Sequence, residues 1–244
     1  MSGFDRKALY SSETTTLNRR VQGQFCQRYA GNPFVTMSDS HRIKADLRKT
    51  LRQRRGSLSS SRQGAAAQTL INSVITLPGW AEAKHIAIYL AADGEIDTRP
   101  LETVARNLGK HVFLPTIAEG DSLEFARWEA GVKLTDNRYS IPEPPPAAMR
   151  CPLSHLNIVF LPLVGWDLFG GRLGMGGGFY DRTLSDTVSP LLVGLAHECQ
   201  RVEKIPLENW DVVLDYIATD AALYRRRGNK NDQTVLFGDN DPGL

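Results

Sequence analysis

Cysteine is scarce in this sequence: Cys26, Cys151 and Cys199 are an odd number among 244 residues, with no C-x-x-C spacing. All three cannot pair, which argues against a disulfide framework and a cysteine zinc site, and the three are read as reduced thiols. The five histidines, His41, His85, His111, His155 and His197, lack H-E-x-x-H or i, i+4 spacing, which removes the usual metalloprotease pattern. Long apolar runs are also missing. The stretches 158–164 and 191–196 fall far short of the about 18 residues a membrane span requires, and neither follows a basic signal-type region. Cytoplasmic residence with no membrane partner is the expectation.

What is present is ordinary for a globular chain: 41% hydrophobic and 23% charged residues, which argues against wholesale disorder, collagen-like repeats or coiled coil. The length allows one large α/β domain or two small ones. The net charge of +2 conceals an asymmetry, because residues 41–62 carry +7 and the remainder −5. Nucleic acid, a polyphosphate or a nucleotide would each suit that basic segment, and charge alone does not choose between them.

Residues 1–37 are rich in Ser, Thr, Asn and Gln and lack a sustained apolar period. They read as a disordered extension, or as sequence upstream of a working start at Met37; Asp5, Glu13 and the missing amphipathic pattern argue against a transit peptide. From residue 40 the pattern is helical, with Ile43, Leu47 and Leu51 recurring every four residues, Lys44, Arg48 and Arg52 in a parallel stripe, and Gly56 as a stop. A second helix is expected over 59–77. Strands over 85–90, 111–114, 123–128, 157–164, 191–196 and 216–218 then alternate with helices over 100–108 and from 179 to 184. The proline-rich stretch 141–146 reads as a loop, and 225–244 as a fraying polar tail. The expected fold class is α/β: a single domain over 38–224, a mainly parallel twisted sheet with helices on both faces, preceded by two N-terminal helices.

Six of the nine residues 170–178 are glycine, between one expected strand and the helix opening at Phe179. A loop without Cβ atoms at the carboxyl end of a parallel strand lets backbone N–H groups approach phosphate oxygens, and the following helix terminus favours anions. Neither a Walker loop nor a G-x-G-x-x-G motif is present, so the alternative is an ordinary surface loop carrying Leu173, Met175, Phe179 and Tyr180. Asp181 in the next turn either caps the helix or holds a phosphate-bound Mg²⁺. Asp167 and Asp211 are further carboxylates, although an isolated Asp is usually a cap or a solvated turn residue.

The run Arg172-Leu173-Gly174-Met175-Gly176-Gly177-Gly178-Phe179-Tyr180-Asp181-Arg182 closely resembles the signature of 5-formyltetrahydrofolate cyclo-ligases. Lys44-Ala45-Asp46-Leu47-Arg48, Gly94-Glu95-Ile96-Asp97-Thr98 and Asn209-Trp210-Asp211 resemble further family segments in the same order, and the likeness covers about residues 41–219. It implies a Mg²⁺-dependent cyclisation of 5-formyltetrahydrofolate to 5,10-methenyltetrahydrofolate, with ATP as co-substrate and ADP and phosphate released. It further implies Lys44, Arg48 and the loop from Arg172 through Leu173, Gly174, Met175, Gly176, Gly177, Gly178 and Phe179 to Tyr180 at ATP. Arg172 and Tyr180 would face the reacting formyl group, Leu90, Glu95 and Tyr139 the folate, and Asp181 and Asp211 the Mg²⁺. Phe179 stands where Tyr is commoner in the family, and residues 1–37 have no counterpart. A monomer is expected. The alternative reading is an RNA-binding or interaction protein using 41–62, against which the segment's lack of interleaved aromatics counts.

Overall fold

The computed structural model describes residues 37–185 and 190–228. The expectations for residues 1–36 and for the tail beyond Gly228 lie outside the described residues. Helix α1 (Met37–Gly56) buries Ile43 and Leu51, while Leu47 packs beside Leu51 against Val164, Leu173, Val202 and Ile205. The four-residue apolar spacing thus becomes a contact stripe. Helix α2 (Ser60–Val74) starts at Ser59, whose Oγ accepts from Arg62 N at 3.4 Å. It stops at Val74, short of the expected Leu77, because Leu77 N bonds back to Val74 O in a turn.

The chain then alternates between strands and covering elements: β1 (His85–Ala87), α3 (Arg99–Asn107), β2 (His111–Ile117), β3 (Leu123–Arg127), β4 (Thr135–Asp136), β5 (Pro142–Glu143), β6 (Arg150–Cys151) and β7 (Ile158–Pro162). A hairpin of β8 (Gly165–Trp166) and β9 (Arg172–Leu173) follows, then α4 (Phe179–Leu184), β10 (Leu191–Ala196), β11 (Tyr216–Thr219) and β12 (Leu223–Arg225). The main sheet has eight strands in the order β12-β11-β10-β7-β1-β2-β3-β6. Neighbours from β11 through β10, β7 and β1 to β2 run parallel; β12, β3 and β6 add antiparallel pairings at the two edges.

Side-chain alternation builds two cores. Ile86, Val112, Ile158, Phe160, Val193 and Leu195 point to the face covered by α2 and α3, through Leu70, Val74, Leu101 and Ala105. Ala87, Phe113, Val159, Leu161, Leu192 and Ile217 point to the other, which Leu184 of α4, Trp166 of the hairpin and Leu214 help close.

Local expectations change beyond the shorter α2. β1 ends at Ala87 instead of residue 90: Thr98 Oγ1 donates to Tyr89 O at 2.6 Å, so a side chain takes the carbonyl that a longer strand would offer its neighbour. The proline stretch is not all loop, since β5 pairs with β4 antiparallel. At the start of the polar tail, Arg226 N and Arg227 N donate to Asp215 O and Leu168 O, both at 2.9 Å. Partners so distant in sequence leave no local signal.

Candidate active site

Chain order places β2 on one side of β1 and β7 on the other, so the sheet's topological switch lies between β1 and β7. A crevice outside the carboxyl ends of such strands is the common ligand position in open α/β sheets. Helix α1 lies across that edge, joined to the loop after β1, to residues just beyond β7 and to the hairpin. Its basic stripe therefore faces protein as well as solvent. Lys44 is buried, and its Nζ donates to Asp211 Oδ2 at 2.5 Å. Arg48 Nε donates to Gly174 O at 2.8 Å. Burial lowers the Arg48 pKa, opposed by the charge of Asp211, yet a guanidinium stays protonated and so remains a partly desolvated cation beside the glycine loop. Arg52 and Arg55 are likewise engaged within the chain, on Asp93. All four cations thus have partners within the chain, which leaves less of the basic segment 41–62 free for nucleic acid.

The glycine loop is anchored at its start by Asp167, a buried carboxylate that caps backbone N–H groups, the first of the two roles its isolation in sequence left open. Its Oδ1 accepts from Phe169 N (2.8 Å) and Gly171 N (2.9 Å), and Oδ2 accepts from Ile205 N (2.8 Å). A Cβ on Gly171 would lie 2.5 Å from Asp167 Oδ2, so the carboxylate and the missing side chain require one another. Farther on, Gly176 (φ +106°) and Gly178 (φ +69°) adopt backbone conformations that L side chains rarely enter. Arg182 Nη2 ties α4 back to Gly177 O at 2.7 Å.

Arg172, on β9, is buried and donates through Nη2 to Asp181 Oδ1 at 2.6 Å. Among the described residues its Nε has no hydrogen-bond partner. A buried guanidinium N–H without an acceptor is costly in isolation and suits an incoming anionic oxygen. The Arg172 guanidinium also lies 5.8 Å from the centroid of the Tyr180 ring.

Asp181 reaches the segment that carries Asp211, thirty residues on in sequence: Asp181 Oδ1 also accepts from the backbone N of Val212, the residue after Asp211, at 3.1 Å. Asp211 Oδ2 takes both Lys44 Nζ and Glu208 N. Among the described residues, the hydrogen bonds to these carboxylates fall on one oxygen of each. Those residues contain no group of three or more His, Cys, Asp or Glu able to hold a metal by themselves. Two carboxylate oxygens supplemented by phosphate and water do fit Mg²⁺, which seldom has an all-protein cage.

Across the crevice, Leu90 packs at the border of the first core and Glu95 sits half-buried in the loop after β1, accepting from Ala92 N at 3.1 Å. Burial pushes the Glu95 carboxyl above its ordinary range, against the Ala92 hydrogen bond and the charge of Arg55. The Tyr180 phenol is pushed well up by burial, with Arg172 opposing and Glu95 reinforcing, which keeps it a protonated donor. Tyr139 is exposed, with its ring edge-on to Phe179 at 6.3 Å and Arg138 over its face. The fold thus brings Tyr139 to the glycine segment and Glu95 within electrostatic reach of Tyr180.

Sequence reasoning missed Arg55, Asp93 and Gln200 and undervalued Asp167. Gln200 Nε2 donates to Leu163 O and Val164 O, each at 2.9 Å, just beyond the carboxyl end of β7. A helical-wheel reading would have put Arg55 on the Arg48 and Arg52 face; nothing local singles out Gln200.

Comparison with known proteins agrees with this architecture. The model of the 5-formyltetrahydrofolate cyclo-ligase family matches residues 40–220. The chain is 39% identical to the 5-formyltetrahydrofolate cyclo-ligase of Escherichia coli K12 over 181 residues, 71% of this chain and 98% of that one. The Haemophilus influenzae enzyme of the same name is also 39% identical, over 70% of this chain and 94% of its own. Among solved structures, the NMR structure of Aquifex aeolicus 5,10-methenyltetrahydrofolate synthetase superposes with a TM-score of 0.68 at 29% identity, covering 82% of this chain and all of that one.

Proposed function

Because the chain belongs to the 5-formyltetrahydrofolate cyclo-ligase family, we propose that its glycine loop and α1 cations bind ATP beside Asp181 and Asp211, and that ATP drives the ring closure. The activity that membership carries is conversion of 5-formyltetrahydrofolate to 5,10-methenyltetrahydrofolate. Closing the ring requires loss of the formyl oxygen, a poor leaving group. Transfer of the ATP γ-phosphoryl to that oxygen releases ADP and makes it a phosphate ester; the second folate nitrogen attacks the activated carbon and gives up its proton, and the oxygen departs with the phosphate as hydrogen phosphate. Phosphoryl transfer needs positioning and charge neutralisation more than a protein nucleophile.

Each residue has a part in that scheme. Lys44 and Arg48 offer charge to phosphate oxygens, and backbone N–H groups of 174–178 complete the cradle. The unpartnered Nε of Arg172 carries the reading, being a donor that the protein leaves for the transferring group. Tyr180, held protonated, donates near the formyl oxygen. Leu90 and Tyr139 supply apolar and stacking surface to the folate, and Glu95 accepts from its amino and ring N–H groups. Asp181 and Asp211 would hold Mg²⁺, which supplies neutralisation of phosphate charge.

The test is turnover by the purified chain. Incubated with 5-formyltetrahydrofolate, ATP and Mg²⁺, it should form the methenyl product, seen by its near-ultraviolet band, with one ADP and one phosphate per product. Product formation without ATP, or undiminished after chelation of Mg²⁺, would refute the ATP or the Mg²⁺ part respectively.

A further inference from the structure

Arg55 is the least exposed charged side chain of α1, at 0%. Its guanidinium divides three ways: Nε to Asp93 O at 2.8 Å, Nη2 to Asp93 Oδ2 at 2.9 Å, and Nη1 to Leu163 O at 3.2 Å. Leu163 immediately follows β7, and Asp93 belongs to the loop after β1. Arg55 therefore bridges the loop after β1 and the end of β7, the two segments at the topological switch, from the helix that also carries Lys44 and Arg48.

The loop it grips needs gripping. Asp93 is not glycine, yet its φ is +50°, and Gly94 follows at φ +75°. Two successive left-handed residues make a sharp reversal that an aspartate enters at some cost. The base of the loop is fastened from within, by Thr98 Oγ1 to Tyr89 O (2.6 Å) and Tyr89 Oη to Ile96 O (3.3 Å). Residues 91–93 at its tip are exposed, so little packing holds them. The tip is instead fastened from α1, by Arg55 and by Arg52 Nε to Asp93 Oδ2 at 2.7 Å. A Cβ on Gly94 would stand 3.7 Å from Arg55 Cγ, so the guanidinium stem also forms the floor beneath the reversal. Glu95 is the next residue, its carboxylate folded back onto Ala92 N.

We infer that Arg55 is a positioning residue for the folate: its buried fork fixes residues 93–95 so that Glu95 is presented to the substrate before the substrate arrives. This rests on the proposal that Glu95 meets the folate. Lysine could not replace the arginine, because a single ammonium on a flexible stem does not span carbonyls 93 and 163 while also meeting a carboxylate.

Steady-state kinetics and thermal melting of Glu95→Gln, Arg55→Lys, Asp93→Gly and Asp93→Asn test this. Glu95→Gln is the control on the underlying reading: if the folate KM does not rise, the folate role of Glu95 falls, and this inference with it. If it rises, Arg55→Lys should raise the folate KM on the order of tenfold to a hundredfold, as misplacement of a binding group does. The ATP KM should change less than about twofold. Asp93→Gly relieves the strained φ but removes the clamped carboxylate, so it should raise the folate KM with its melting temperature held; Asp93→Asn, which tolerates positive φ and keeps one acceptor, should recover part of the loss. Equal rises in both KM values, or lower melting temperatures with unchanged folate KM, would reduce Arg55 to a structural residue and overturn the inference.

Discussion

Replacing Asp167 by Asn should loosen the hairpin that delivers Arg172, and the size of the effect follows from its hydrogen bonds. The carboxylate accepts two N–H groups at Oδ1 and one at Oδ2, in a residue only 1% exposed. An amide oriented to keep the first pair turns its NH₂ toward Ile205 N–H, donor against donor. A buried donor left unpaired costs about 1–3 kcal/mol, and the retained pair weakens from charge-assisted to neutral. Relief of the carboxylate's desolvation offsets part of this, so a net loss of about 2–4 kcal/mol is expected. For a chain of this size that is a fall in melting midpoint of roughly 5–15 °C. Differential scanning calorimetry would measure it, alongside turnover well below the transition, which should also fall because Arg172 loses its fixed register. Gly171→Ala should be destabilising in the parent chain and add little on top of Asp167→Ala, since the Cβ would clash with the carboxylate that the latter removes. A midpoint within about 2 °C of the parent for Asp167→Asn, with turnover intact, would refute the reasoning, because an exchange so small matches an ordinary surface substitution.

Three further outcomes are expected. Arg48→Ala should lower kcat/KM for ATP roughly tenfold to 150-fold, the equivalent of one charge-assisted hydrogen bond of about 1.5–3 kcal/mol, with the far-ultraviolet circular dichroism unchanged; an unaltered value would remove α1 from the nucleotide site. Asp181→Asn and Asp211→Asn should each raise the Mg²⁺ concentration for half-maximal rate, the pair losing less than the sum; an unmoved Mg²⁺ curve would leave Asp181 as the partner of Arg172 and Val212 alone. Because burial raises the Glu95 pKa, its carboxylate is lost on acidification earlier than an ordinary glutamate's, so kcat/KM for the folate should decline at a pH above the usual glutamate range, and Glu95→Gln should abolish that limb. The folded chain holds this proton more tightly than the unfolded one, so protonating Glu95 on acidification favours the fold while activity declines; a limb that coincided with unfolding would count against the assignment.

The sequence by itself determined the parts whose signals are local. Apolar spacing every four residues and the Gly56 stop specify α1, Ser59 the start of α2, and short apolar runs between turn residues the parallel strands. The glycine run, with Lys44, Arg48 and Asp211 at their stations, was enough to name the chemistry through resemblance. Tertiary structure alone decided what those residues touch. Lys44 meets Asp211 across 167 residues and Arg48 meets Gly174 across 126, and no periodicity encodes such pairings. The strand order, set by crossover connections, puts the topological switch between β1 and β7 and turns Arg55 from one more cation on a basic helix into a buried bridge between Asp93 and Leu163. Asp167 shows the same division: its type and position were legible, but whether a carboxylate faces water or three buried amides depends on what packs over it, and that is settled only when Ile205 returns to the hairpin.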